Sequence, residues 1–118
     1  MFKKKIKHKF GAIRCESNGI KFPSKLERSV YDHLVLLQKA GKILFFLRQI
    51  PFDLPGAAKH VVDFMVFLPE NALFIEAKGR DLPMGKLKRK QVEEIFGIDI
   101  HLATSVSELV RIIDEGRS

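Results

Sequence analysis

Residues 61–79, reading VVDFMVFLPENALFIEAKG, constrain this chain more than any other stretch. Two apolar runs flank the breaker Pro69-Glu70-Asn71, which reads as a hairpin between two buried strands. Each run carries charge where a buried strand should have none: Asp63 in the first, Glu76 and Lys78 in the second. An ionised carboxylate among Val, Phe, Ile and Met is costly unless a partner or an ion compensates it. Three such groups in one hairpin mark a site rather than scattered surface charge.

Strand geometry sharpens the reading. Side chains alternate with period two, so Glu76 and Lys78 share one face of their strand and Ala77 takes the other. Asp63 joins that face only across an even-length loop, either Pro69-Glu70 alone or four residues around it; three residues would need a bulge. Two carboxylates then meet at the separation of shared metal ligands, with an ammonium beside them. Hard oxygen donors suit Mg²⁺, which is typically held by one or two carboxylates plus water and substrate phosphate.

Asp63, followed across a hairpin by Glu76-Ala77-Lys78, resembles the D…(D/E)xK signature of the PD-(D/E)xK nuclease superfamily, with Val62 where the name has proline. That group includes restriction enzymes, archaeal and phage Holliday-junction resolvases and transposon-end nucleases.

Composition bounds the alternatives. A chain of 118 residues, 46% hydrophobic, with 10 Phe and no Trp, fits one globular domain with a core. A net charge of +7 favours a polyanionic partner, and nucleic acid is the simplest. The single Cys15 excludes an internal disulfide framework and a cysteine-rich zinc site, and it fits a reducing compartment. No apolar run approaches the roughly 20 residues of a membrane span. The basic N-terminus lacks the apolar core of a signal peptide, so the expected location is cytoplasmic, the host cytoplasm if the chain is phage-encoded.

In chain order, the first residues include Lys3, Lys4, Lys5 and Arg14, either a solvated terminus or an arm lying along phosphates. Ser24 and Glu27 form a capping box that opens a helix, and Leu26, Val30, Leu34 and Leu37 make its packing stripe, which Gly41 ends. Residues 43–54 read as a strand, and Pro51 puts it at an edge or a bulge. Its Arg48 and Gln49 are either exposed edge residues or a phosphate contact and a group orienting ligand or water. His60 reads as a lone surface histidine, with DNA binding or proton transfer as the alternatives.

A helix is expected over residues 86–96, with Leu87, Val92, Ile95 and Phe96 on its buried side. Lys86, Lys88, Arg89 and Lys90 crowd its first turns, where cations oppose the helix dipole. A bound phosphate would offset that opposition, which points to DNA contact with Lys90 or Gln91 nearest the carboxylates. Residues 98–103 form a last strand, and Ser105 caps a last helix with Val106, Leu109, Val110 and Ile113 inward. The first three strands can run as an antiparallel meander, and the fourth, after a helical crossover, pairs in parallel with a neighbour.

The order helix, three strands, helix, strand, helix is similar to the superfamily's common core. The resemblance thus implies an α/β, restriction-endonuclease-like αβββαβ fold, a mixed sheet flanked by helices. Residues 1–21 would be a basic arm and residues 22–118 a single nuclease domain. It implies a Mg²⁺-dependent endodeoxyribonuclease in which Asp63, Glu76 and the Ala77 carbonyl hold Mg²⁺ or Mn²⁺. Resolvase-like members carry a glutamate on the helix before the sheet, which gives Glu27 a metal role beside its capping role. Lys78 is assigned to electrostatic stabilisation rather than to the general base, since an unperturbed lysine is protonated at neutral pH.

Small phage-type resolvases and structure-selective endonucleases are the most similar members, implying branched DNA as substrate, a role in DNA recombination and action as a homodimer. Phe45, Phe46 or Phe52 could form such a dimer contact. The rivals are a sequence- or mismatch-directed nuclease with the same site, and a non-catalytic basic DNA-binding module.

Overall fold

The computed structural model describes residues 15–117. A small hairpin comes first, β1 (Cys15–Ser17) and β2 (Ile20–Phe22), paired antiparallel. Sequence reading counted residues 15–21 with the basic arm. They instead belong to the folded unit, with Cys15 and Phe22 buried in the main core. Lys3, Lys4, Lys5 and Arg14 lie outside the described residues.

Helix α1 (Lys25–Lys39) starts where Ser24 accepts the Glu27 amide hydrogen bond at 3.1 Å. Gly41, at φ 76°, closes its far end in the left-handed conformation that glycine adopts without penalty. Ser24→Ala removes that first cap and is expected to cost about 1 kcal/mol in urea denaturation.

The main sheet has the order β3-β4-β5-β6, formed by β3 (Phe45–Leu54), β4 (Ala58–Phe67), β5 (Ala72–Ala77) and β6 (Ile100–Ala103). The first three strands form an antiparallel meander, and β6 joins β5 in parallel. Pro51 lies on β3, an edge strand, as its missing amide hydrogen requires. Helix α2 (Pro83–Phe96) supplies the crossover between β5 and β6, and α3 (Val106–Arg117) follows β6. The described residues are therefore mixed α/β, with a four-stranded mixed sheet and three α-helices. No helix among the described residues is long and apolar enough to cross a membrane.

Two cores sit on opposite sides of the sheet. Val30, Tyr31 and Leu34 of α1 and Leu109, Ile112 and Ile113 of α3 pack with Phe64, Val66, Leu73 and Ile75. On the other side Val92 of α2 packs with Leu54, Val62 and Ile100. Burying side chains of this size contributes about 1.5–3 kcal/mol each. On α3 the buried stripe is Leu109, Ile112 and Ile113 at i, i+3 and i+4, so Ile112 joins it while Val106 and Val110, expected inward, are half-buried at its margin.

Regular alternation would keep Val62, Phe64 and Val66 on one face, yet Val62 belongs to the second core and its neighbours to the first. The partner strand does the same: Phe46 packs on the first core, Ile50 and Phe52 on the second. Both exchanges centre on Gln49 and Asp63, the one pair missing from an otherwise continuous β3–β4 register. Gln49 holds φ 56°, a left-handed conformation that turns the strand over. The hairpin thus swaps its faces at the position of its most conspicuous acid.

Candidate functional site

A four-residue loop, 68–71, joins β4 to β5, closed by the Leu68 amide donating to the Asn71 carbonyl at 2.8 Å. This even-length connection pairs Phe64 with Ile75 and brings Asp63 to the level of Glu76 just beyond the last ladder pair. There the Ala77 N–H donates to Asp63 Oδ2 at 2.9 Å, so a side chain takes over where the backbone ladder stops. The Asp63 carboxyl is pushed above its ordinary range, mainly by burial and further by the Glu76 charge, against the Ala77 hydrogen bond and the charges of Lys78 and His60.

Glu27 reaches the same region from α1. Its amide serves the Ser24 cap, but its carboxylate turns inward to Gln49 Nε2 at 3.4 Å and the Arg48 guanidinium at 3.7 Å. Burial and the Asp63 charge raise its pKa to about 7, against the opposing charges of Arg48 and Lys78. Glu27, Asp63 and Lys78 are thus electrostatic neighbours drawn from α1, β4 and the end of β5. Two acids held with raised pKa values carry negative charge that the protein compensates only in part.

Glu76 is 1% exposed and occupied differently. Its Oε2 lies 2.6 Å from His60 Nε2, and its Oε1, which has no hydrogen-bond partner, lies 3.7 Å from an Arg89 nitrogen. Arg89 is buried as well, and its other terminal nitrogen donates to Asp81 at 2.6 Å. That bond holds the Asp81 carboxyl below the ordinary carboxylate range.

Several expectations change here. Arg89, assigned from sequence to DNA, points into the protein, because α2 turns Arg89 and Val92 inward rather than Leu87, Ile95 and Phe96. The helix begins at Pro83, earlier than expected, and Arg89 rather than Lys90 or Gln91 meets the carboxylate. His60 is no free surface histidine, since its side chain is 11% exposed and bound to Glu76. Arg48 is half-buried rather than an exposed edge residue; it stacks over the Phe22 ring at 4.7 Å and faces Glu27. Gln49 is exposed with its amide on Glu27.

Lys86 and Lys90 stand exposed along α2 and Lys88 is half-buried. No side chain caps the helix start and its first turn holds no acid. Of the three aromatic residues considered for a dimer contact, Phe46 and Phe52 pack against the two cores. Phe45 is the exposed one, stacked on Phe67.

Among the described residues, no group of three or more His, Cys, Asp or Glu side chains is gathered to hold a metal ion. The donor chemistry nonetheless fits a hard divalent cation that takes one or two carboxylates and completes its shell with water and phosphate. Glu76 Oε1 lacks a hydrogen-bond partner in a buried position; Asp63, which feels the Glu76 charge, and Glu27, which feels the Asp63 charge, are both held above their ordinary pKa. Lys78 is half-buried and its amide donates to the Ala103 carbonyl at 3.2 Å, which fixes the backbone carrying its ammonium. The sequence alone puts neither His60 nor Asp81 with Glu76 and Arg89, because no local pattern marks those contacts. Comparison with protein-family models, curated proteins and solved structures yields no match.

Proposed function

We propose that this protein is a divalent-metal-dependent DNA endonuclease of the PD-(D/E)xK type with a restriction-endonuclease-like core, acting on branched DNA. One observation carries the reading. Asp63 accepts the Ala77 amide across the hairpin while Glu27, Glu76 and Lys78 lie within its electrostatic reach, and burial leaves the acids short of positive charge. Asp63 and Glu76 would hold Mg²⁺ or Mn²⁺, with Glu27 and the Ala77 carbonyl as the further ligands. When bound, the metal supplies Lewis-acid polarisation of the phosphoryl group and a lowered pKa for the attacking water.

The remaining work falls to the chain itself. Lys78 places an ammonium beside the acids, where negative charge accumulates on the phosphorane. Gln49 and Arg48 hold the Glu27 carboxylate in place from the edge strand. Phe22 fixes the Arg48 guanidinium from its other side. The uncapped start of α2, with exposed Lys86 and Lys90, offers free amides and ammonium groups to a phosphate backbone.

A panel of labelled four-way junction, flap and linear duplex DNAs, incubated with and without Mg²⁺, tests the reading. Mg²⁺-dependent scission of the junction in preference to the duplex supports it; equal cutting of all three favours a sequence- or mismatch-directed enzyme. Absence of scission with every divalent ion rejects the enzyme. It would leave a basic DNA-binding module, a second reading favoured by the engagement of Glu76 with His60 and Arg89. Lys86→Ala and Lys90→Ala should each reduce the slope of log affinity against log salt by about one, as expected for one lost phosphate contact. Filter-binding titrations in chelator at graded salt measure that slope.

A further inference from the structure

Asp81, Arg89, Glu76 and His60 form one continuous chain of contacts running from the start of α2 to the middle of the sheet. We infer that Arg89, braced by Asp81, is the positioning residue that orients Glu76 for the divalent cation, with His60 gripping the other carboxylate oxygen. The inference rests on the nuclease reading above and extends it to residues outside the metal-ligand set.

Glu76 and Arg89 are each almost wholly enclosed, so neither can exchange its partner for water. The two Arg89 nitrogens are divided between two carboxylates: one hydrogen-bonds Asp81 at 2.6 Å, and the other stands 3.7 Å from Glu76 Oε1 without a partner of its own. A guanidinium can span two acids in this way because its donors form a rigid planar fork, which an ammonium lacks. His60 meets Glu76 Oε2 at 2.6 Å and fixes that oxygen. The other oxygen, Oε1, has no hydrogen bond and faces the Arg89 guanidinium, so the carboxylate is held from both ends, as an outer-shell brace holds a ligand it orients.

Position in the helix adds a consequence. Arg89 lies on the same turns of α2 as the exposed Lys86 and Lys90. Spaced i, i+3 and i+4, the lysines that would meet a phosphate backbone and the arginine that orients Glu76 are neighbours on one rigid element.

The test is Mn²⁺ binding to DNA-free protein, followed by electron paramagnetic resonance. Arg89→Ala strips a buried carboxylate of its partner and risks the fold, so the informative variants are Arg89→Lys and the exposed Asp81→Asn. Both are expected to weaken Mn²⁺ binding by about 10–100-fold, as for other lost outer-shell partners. His60→Gln keeps a donor for Glu76 and retains Mn²⁺, whereas His60→Leu loses it. The salt slope of DNA binding in chelator stays at the wild-type value for Arg89→Lys and Asp81→Asn.

Wild-type Mn²⁺ affinity in both of those variants overturns the inference and leaves the metal reading standing. A salt slope lowered by about one in Arg89→Lys, with Mn²⁺ binding intact, would make Arg89 a phosphate contact instead. Failure of the wild-type protein itself to bind Mn²⁺ overturns the metal reading and this inference together.

Discussion

Asp63→Asn is expected to lower the rate of DNA scission by about 10³-fold while leaving DNA affinity in chelator unchanged. The amide keeps the shape of the side chain and still accepts the Ala77 N–H through its oxygen, so the hairpin junction survives. What disappears is the negative charge, which burial and Glu76 already oppose. Removing a charge that the fold tolerates poorly should raise stability, by about 1 kcal/mol. Loss of activity with a gain in stability is the signature of a residue kept for chemistry. The measurement pairs single-turnover cleavage of labelled junction DNA with urea denaturation of the same preparations. Wild-type scission by Asp63→Asn would remove Asp63 from the reaction. Lost scission with lowered stability would reduce it to a packing role.

The second large effect is a dependence of stability on pH. Glu27 is raised from its ordinary 4.5 to about 7 in the folded protein, through burial first and Asp63 second. Between those two values the folded state keeps a proton that the unfolded chain has released, so stability falls as pH rises through that window and levels off above it. The shift corresponds to ~3 kcal/mol between pH 4.5 and pH 7. Asp63, also raised, adds to the loss in the same direction. Urea denaturation at pH 5 and pH 7.5 without divalent ions measures it. Glu27→Gln should flatten most of the profile and be the more stable protein at pH 7.5. A profile as steep as wild type in Glu27→Gln would show that Glu27 is not its source. A divalent ion that binds the ionised acids should restore stability at pH 7.5 more than at pH 5, by mass action on the folded state.

Much of the framework was legible in the residues. Ser24 and Gly41 bound the first helix, Pro51 marked an edge strand, and the parallel return of the last strand followed from a helical crossover. These are local signals whose physics operates over a few residues: a cap, a missing donor, a chain reversal. The even-length loop that brings Asp63 to the level of Glu76 was one of two open choices, and a four-residue connection is the one found. The inward face of α2 was misread because Leu87, Ile95 and Phe96 outnumber its buried apolar positions, while the helix in fact turns inward a charged residue with partners waiting.

The sequence by itself determined which residue types are present and which short segments become helix, strand or turn, because those preferences are settled within one or two turns of chain. Only the tertiary structure decided where the charges point. The left-handed Gln49 exchanges the faces of two strands, the Glu27 carboxylate turns to Arg48 and Gln49 while its amide stays on the Ser24 cap, and His60 and Arg89 close on Glu76 from segments 16 and 13 residues away in sequence. A buried charge takes the nearest compensating group in space, and that neighbour is set by how the layers pack rather than by any pattern along the chain.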